Sequence, residues 1–372
     1  MMSDGTSLPK VLEYDNIWAL KTDEMIEGLS WYWWWWIFFI ENPDDPERPR
    51  QLMILWSTKY VDQIEVNDKR WSMKKLPTWN DGKLEFNGMT AAWWFDGEDM
   101  YDPIVLEEMD FEIHTQGKSG MLKPLSEDGD YRFFGSPDKY IVNIQNDRND
   151  FHLEMTPWND YLQKHRFNDQ SFIGKYGYNI MKIYGMKLSG RIDGESVQGS
   201  SYFQRVQVNA PATPWYWGIV HCEDESFLHY FNPFIGPQMF RSKQKQTSRL
   251  DWGDIRLSRS IRFYHRGSDR EFKFGTKHVD ISHEIRDDLP VFMVEGEDQD
   301  KEISFKLSAY SRANWRFQEK RRFGMRNVFY YNEYPAELLD FEFRLKDGSL
   351  TVTKSDLGRT YGNFEHSWGK LL

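Results

Sequence analysis

A single cysteine, Cys222, stands among 372 residues, so no intramolecular disulfide can form. Nothing in the chain calls for an oxidising compartment. The plain reading of Cys222 is a small buried hydrophobe beside a strand. Basic clusters are scarce too. Lys and Arg total 47 against 58 Asp and Glu, for a net charge of −11. Basic residues are spread out apart from short runs such as Lys320-Arg321-Arg322. A surface that tracks phosphates needs a basic stripe, so the pattern argues against a nucleic-acid partner. Long apolar runs are missing as well. The longest, Trp31 to Ile40, falls well short of the roughly 20 residues of a membrane helix, and Glu41 with the Pro-rich segment 42–49 ends it. Met1 to Lys10 has neither the basic region nor the apolar stretch of a signal peptide. The expectation is a cytoplasmic protein with no integral membrane span.

Familiar catalytic motifs are also absent. No phosphate loop occurs, and no glycine fingerprint opens a helix after a strand. His283-Glu284 is followed by Arg286 and Asp287, which does not make a zinc site. No G-x-S-x-G elbow is found. Nicotinamide, ATP and serine-hydrolase chemistry are disfavoured, and neither a cofactor nor a metal is expected. His221, Glu223 and Glu225 would share one strand face, which makes a metal site conceivable; a solvated hairpin turn is the simpler reading.

What the chain has in abundance is aromatic side chains, 17% of residues, with 17 Trp. Aromatics favour strands. Helical periodicity is confined to short stretches, around Val105 to Met109 and Pro157 to Lys164. Elsewhere short apolar segments alternate with turn signals, for example Gln51 to Ser57, Tyr140 to Ile144 and Leu338 to Leu345. Asp81-Gly82, Asp193-Gly194 and Asp347-Gly348 are hairpin dipeptides. The fold class is all-β, built as barrels or sandwiches.

A weak internal repeat divides the chain. Trp31-Tyr32-Trp33 in the first half is matched by Trp215-Tyr216-Trp217 in the second. Tyr178 to Leu188, then Asp193-Gly194 and Gly199-Ser200-Ser201-Tyr202, is matched by Tyr334 to Leu345, Asp347-Gly348 and Gly358-Arg359-Thr360-Tyr361. The order predicts two domains, 1–212 and 213–372. Both faces of the strand Trp31 to Ile40 are apolar, so both should be buried. One would line a barrel and a neighbouring barrel would cover the other. Either plain packing or a ligand cavity would satisfy this. Asp96 follows Trp93-Trp94-Phe95 and is either a desolvated acid or the turn residue of an Asp-Gly pair.

The segment Ser189 to Gly194, then Gly199 to Tyr202, then Pro214-Trp215-Tyr216-Trp217-Gly218, resembles the mid-chain region of the carotenoid 1,2-hydratase family. This family includes hydroxyneurosporene-synthase, AttH-like and fungal Diels–Alderase-like proteins. Trp31-Tyr32-Trp33 is similar to its Trp-rich first strand, and Gly358 to Glu365 to its last strand. The resemblance implies two tandem lipocalin-like antiparallel β-barrels with a few short helices. It also implies acid-assisted chemistry on a small hydrophobic ligand. Two departures stand out. Tyr202 is followed by Phe203-Gln204-Arg205-Val206-Gln207 without the family's His-rich stretch, and Asn232 falls where the family carries an acid.

Three functions follow. The first is an enzyme on a bulky isoprenoid- or polyene-like substrate, acting by hydration, cyclisation or pericyclic closure. Glu333 or Glu365 would supply the acid. Trp33, Trp35, Trp215 and Trp217 would form walls, and Tyr202, Arg205, Tyr230 and Asn232 would orient the substrate. The second is a non-catalytic lipid or isoprenoid carrier or sensor with the same walls. The third is a carbohydrate-active or carbohydrate-binding protein using Trp platforms and paired carboxylates.

Overall fold

The computed structural model describes residues 17–73, 75–164, 167–210, 214–235, 255–256, 259–320 and 326–371. Lys10, Arg321 and Arg322, and the expected junction at 212/213, lie outside them. No helix among the described residues is long and apolar enough to cross a membrane.

Strands dominate, as the alternating pattern requires. The first half contributes β1 (Ser30–Ile40), β2 (Arg50–Lys59), β3 (Ile64–Val66), β4 (Lys69–Trp71), β5 (Thr78–Asn80), β6 (Lys83–Phe95) and β7 (Met100–Gln116). It continues with β8 (Ser119–Pro124), β9 (Asp130–Ser136), β10 (Lys139–Gln145), β11 (Asp150–Pro157), β12 (Phe167–Ile173), β13 (Tyr176–Ile192) and β14 (Glu195–Asn209). Val105 to Met109, read as helical from its sequence, lies inside β7. Its pairing with β6 overrides the local pattern, because an edge left unpaired there would orphan a run of backbone groups. The segment after Pro157 does hold a helix, Asp160–Lys164.

Ten of these strands close a barrel in the order β11-β10-β9-β8-β7-β6-β2-β1-β14-β13, with β13 pairing back to β11. The β13–β14 turn uses Asp193 and Gly194 at φ 49° and 85°, the doubly left-handed pair of a tight hairpin. At Gly199 the backbone of β1 comes so close that a Cβ would sit 1.9 Å from the Phe39 carbonyl oxygen. The register depends on that glycine.

The second half supplies β15 (Trp215–Cys222), β16 (Phe227–Ile235), β17 (Ile255–Arg256), β18 (Ser260–His265), β19 (Arg270–Gly275) and β20 (Val279–Arg286). It ends with β21 (Leu289–Glu297), β22 (Lys301–Ala309), β23 (Ala313–Lys320), β24 (Arg326–Leu345), β25 (Thr351–Thr353) and β26 (Thr360–Leu371). Their main path is β19-β18-β16-β15-β26-β24-β22-β21-β20. The sheet curls around its own core. Phe272 of β19 meets Phe343 of β24 at 4.4 Å between ring centroids, although four strands intervene in the path order from β19 to β24.

The repeat has a direct counterpart in the pairing. β1 lies between β2 and β14, the last strand of its half; β15 lies between β16 and β26, the last strand of its half. In both Trp-Tyr-Trp triplets the Tyr turns into its own core and the tryptophans turn outward. One element crosses over. The hairpin β3–β4 pairs with β23 and extends the second sheet.

Alternation along β1 then sorts its side chains. Tyr32, Trp34, Trp36, Phe38 and Ile40 fill the first barrel. Trp36 is fully buried against Phe133, Tyr140 and Phe203. Trp35, Ile37 and Phe39, with half-buried Trp31 and Trp33 beside them, face the second sheet. Each fully buried Trp contributes about 4–6 kcal/mol from its apolar area. Polar pins cross the same layer. Gln51 Nε2 donates to the Gly362 carbonyl at 2.9 Å and Asn363 Nδ2 donates to Gln51 Oε1 at 3.1 Å. Lys59 of β2 pairs with Glu319 of β23, both buried, with the Trp31 ring 4.3 Å from the ammonium.

Trp36→Ala opens a void that the surrounding rings cannot close and is expected to cost about 3–5 kcal/mol. Urea unfolding followed by circular dichroism measures it; a loss below about 1 kcal/mol would contradict the packed interior.

Candidate active site

The face-to-face layer between the two bodies holds buried acids as well as rings. Register explains why. β26 runs between β15 and β24, so Trp217, Glu365 and Glu333 align as one row across three strands. Trp215, Ser367 and Tyr331 form the neighbouring row. All six share the face turned toward the first barrel, because two residues separate the rows on each strand.

Exposure falls between these rows. Trp215 and Tyr331 are half-buried, whereas Trp217, Glu333 and Glu365 are buried, Glu333 completely. On the opposing barrel, half-buried Trp31 and Trp33 give way to buried Trp35. The arrangement has aromatic side chains nearer solvent and carboxyl groups deeper in.

Tyr331 links the two acids. Its hydroxyl lies 3.0 Å from Glu333 Oε2 and 2.9 Å from Glu365 Oε1. Trp93, from β6 of the first barrel, donates its indole N–H to Glu333 Oε2 at 3.0 Å. Trp215 donates its indole N–H to Glu365 Oε2. A phenol has one proton to give. With both acids ionised, one of its two contacts would set oxygen against oxygen with no hydrogen between them. One added proton on the pair repairs this, since a protonated carboxyl can donate to the Tyr331 oxygen while Tyr331 donates to its neighbour.

The electrostatics agree with that count. Burial, then the nearby Glu365 charge, pushes the Glu333 carboxyl well above the usual carboxylate range. Burial raises Glu365 to about 7, against the opposing hydrogen bonds from Trp215 and Tyr331. The phenol of Tyr331 is pushed up by burial and by both carboxylates. Asp102 of β7 adds a third acid, raised to about 7 by burial, with Oδ2 accepting the Asn314 backbone N–H at 2.6 Å. Glu333 Oε1, Asp102 Oδ1 and Trp315 Nε1 are buried and have no hydrogen-bond partner among the described residues.

The structure brings together most of the residues singled out from the sequence. Glu333, Glu365, Trp33, Trp35, Trp215, Trp217 and Tyr202 all face this layer. Trp35 sits 5.0 Å from Trp217 and 5.9 Å from Tyr202 between ring centroids. Three do not join them. Arg205 is three residues from Tyr202 and so points the other way, into the first barrel near Tyr32. Burial lowers its guanidinium to about 10. Tyr230 and Asn232 turn into the second core. Tyr230 packs near Phe292 and Phe305, and Asn232 Oδ1 accepts from Arg259 Nε at 3.1 Å.

Asp96 is the turn residue. Its carboxylate accepts the backbone N–H groups of Glu98 and Asp99, and these and further hydrogen bonds outweigh partial burial to hold its pKa below the usual range. His221, Glu223 and Glu225 do not converge. Both His221 ring nitrogens are engaged, with Ser200 Oγ at 2.8 Å and the Tyr184 carbonyl at 2.6 Å, while Glu223 binds Arg359. Cys222 is buried in the second core.

Trp93, Tyr331 and Asp102 were not anticipated. Tyr331 carried a usable signal, since it lies two residues before Glu333 and must share its face. Trp93 gave none, because only the packing of the two bodies brings it to Glu333.

Stability should report the buried proton. An acid raised on folding leaves stability unaffected at low pH, where folded and unfolded chains are both protonated. It costs stability as pH rises from the unfolded value of about 4.5 toward about 7, where the unfolded chain ionises first. Glu365→Gln should therefore gain stability relative to the parent across pH 4.5–7, on the order of a few kcal/mol, and hold that gain above pH 7. Denaturant midpoints across that range test this, and a pH-independent difference would contradict it.

Solved structures share this architecture. CghA aligns over 92% of this chain and 88% of its own, with TM-score 0.51 and 8% identity. CghA with Sch210972 aligns over 91% and 88%, with TM-score 0.50 and 8% identity. A candidate AttH from Nitrosomonas europaea aligns over 94% and 96%, at TM-score 0.47 and 13% identity. No family model and no curated protein matches the sequence. The chain shares the all-β fold of CghA.

Proposed function

We propose that the protein is an enzyme that uses the Glu333–Tyr331–Glu365 array as a proton donor to a bulky apolar substrate of isoprenoid or polyene type. The observation that carries this is one phenol between two buried carboxyls, beside a carboxyl oxygen, Glu333 Oε1, with no partner among the described residues. A neutral carboxylic acid is the form that such an environment favours, and a neutral acid in a water-poor aromatic site is a competent general acid.

In the proposed step the Glu333 O–H bond breaks and its proton forms a C–H bond at one alkene carbon. The alkene's π electrons make that bond, and the adjacent carbon becomes cationic. Trp93, Trp215 and Trp217 flank the acids and would supply aromatic stabilisation to such a cation. Water, or a second alkene of the same molecule, then supplies the electron pair that quenches it. The proton lost at quenching returns to the Glu333 carboxylate, with Tyr331 and Glu365 as the relay. The same acid could instead hydrogen-bond a carbonyl and promote a pericyclic closure, with shape and orientation doing the rest. A carrier would need no such proton, and a carbohydrate site would expose its tryptophans to water, so both readings fit less well.

Turnover should fall as pH rises through about 7, where Glu365 loses its proton. Glu333→Gln and Glu365→Gln should each reduce turnover by about 10²–10⁴-fold. Product formed in D₂O from a panel of polyene and isoprenoid alcohols should carry one deuterium at carbon. Undiminished turnover in the double variant, or product without deuterium that is also indifferent to both substitutions, would rule out the assignment.

A further inference from the structure

Beside the carboxyl pair lies a second set of polar atoms that the proposed proton transfer does not use. The indole nitrogens of Trp35 and Trp217 and the Nε2 of His229 are buried, and none has a hydrogen-bond partner among the described residues. They belong to one cluster. Trp35 and Trp217 are 5.0 Å apart between ring centroids, and Trp217 and His229 are 5.8 Å apart. His229 Nδ1 faces the Tyr184 hydroxyl at 3.4 Å. A phenol donating to Nδ1 leaves the proton of a neutral imidazole on Nε2. Burial, with Lys182 and Arg262 nearby, holds this histidine neutral. In that tautomer all three atoms are N–H donors, and an indole can do nothing but donate.

Each orphaned buried donor costs about 1–3 kcal/mol, so three on adjoining rings call for an explanation. Two cations act on His229 and no carboxylate is among the charges that move it. Indole and imidazole N–H groups call for an acceptor oxygen. The cluster has half-buried neighbours on one side. Two residues along β1 from Trp35 stands half-buried Trp33, and two along β16 from His229 stands half-buried Phe231.

We infer that Trp35, Trp217 and His229 form an acceptor-binding subsite that takes the carboxylate or carbonyl oxygen of an otherwise apolar ligand. The ligand is therefore an amphiphile rather than a plain hydrocarbon. This rests on the proposed function only for the apolar body of the ligand, and it needs no proton transfer. Trp217 is opposite Glu365 in register, and Glu333 lies one strand further on. At about 4.8 Å between strands, the oxygen would bind within roughly 10 Å of the acid pair.

The test uses cis-parinaric acid, a conjugated tetraenoic fatty acid, and the matching hydrocarbon without its carboxyl group. Quenching of tryptophan fluorescence in the full chain at pH 8 reads binding. The acid should bind at least about tenfold more tightly than the hydrocarbon. Trp217→Phe should weaken the acid by about tenfold and the hydrocarbon by less than about twofold. Trp35→Phe serves as a second variant should the first fail to fold. Equal binding of the two probes, equal loss for both, or no binding of either would overturn the subsite. The two proposals separate cleanly. The Glu333→Gln/Glu365→Gln double variant should still discriminate between the probes, and donor-dependent binding without any turnover would remove the catalytic reading while leaving the subsite standing.

Discussion

Strand β1 has no polar face, and a strand without one must be covered twice. One cover is the interior of its own barrel. The other is the face of a second sheet, and this requirement sets the arrangement of the molecule. Trp35 cannot be buried unless Trp217 is there to meet it. Because the second half repeats the Trp-Tyr-Trp triplet, the covering strand has the same side-chain order as the covered one. Each half therefore brings an aromatic row to the shared layer, and the layer is dry where those rows meet.

That dryness gives the acids their character. In water Glu333 and Glu365 would ionise independently. Between the two bodies, ionisation must overcome lost hydration and mutual repulsion, with few compensating donors. Trp93 contributes one donor from the opposite body, so the environment of Glu333 exists only in the assembled molecule. Fold and site are one construction here. The rings that hold the bodies together also exclude the water that would otherwise level the acid.

The sequence revealed this unevenly, for identifiable reasons. Period-two alternation is short-range, so the all-β class, the aromatic strand and the two buried faces of β1 could be read from it directly. The same parity rule, applied to Tyr202 and Arg205, would have separated them, since an odd spacing sends side chains to opposite faces. It would also have placed Tyr331 beside Glu333. The contacts of Trp93 with Glu333 and Lys59 with Glu319 join residues more than two hundred positions apart in different bodies, and no local pattern encodes them. Val105 to Met109 shows the converse, a locally helical spacing overruled by pairing with the preceding strand β6.

The lent hairpin β3–β4 has a consequence in time. Asn67 accepts a backbone hydrogen bond from Arg316, 249 positions later in the chain. At about 5–20 residues per second of synthesis, the hairpin waits roughly 10–50 s for the strand it completes. During that interval it is an uncapped edge, the kind of surface that recruits wrong partners. Its turn is Asn67-Asp68 and its second strand opens with Lys69-Arg70, charged and polar residues that discourage premature pairing. The segment that extends the second sheet is thus made well ahead of the strand it pairs with.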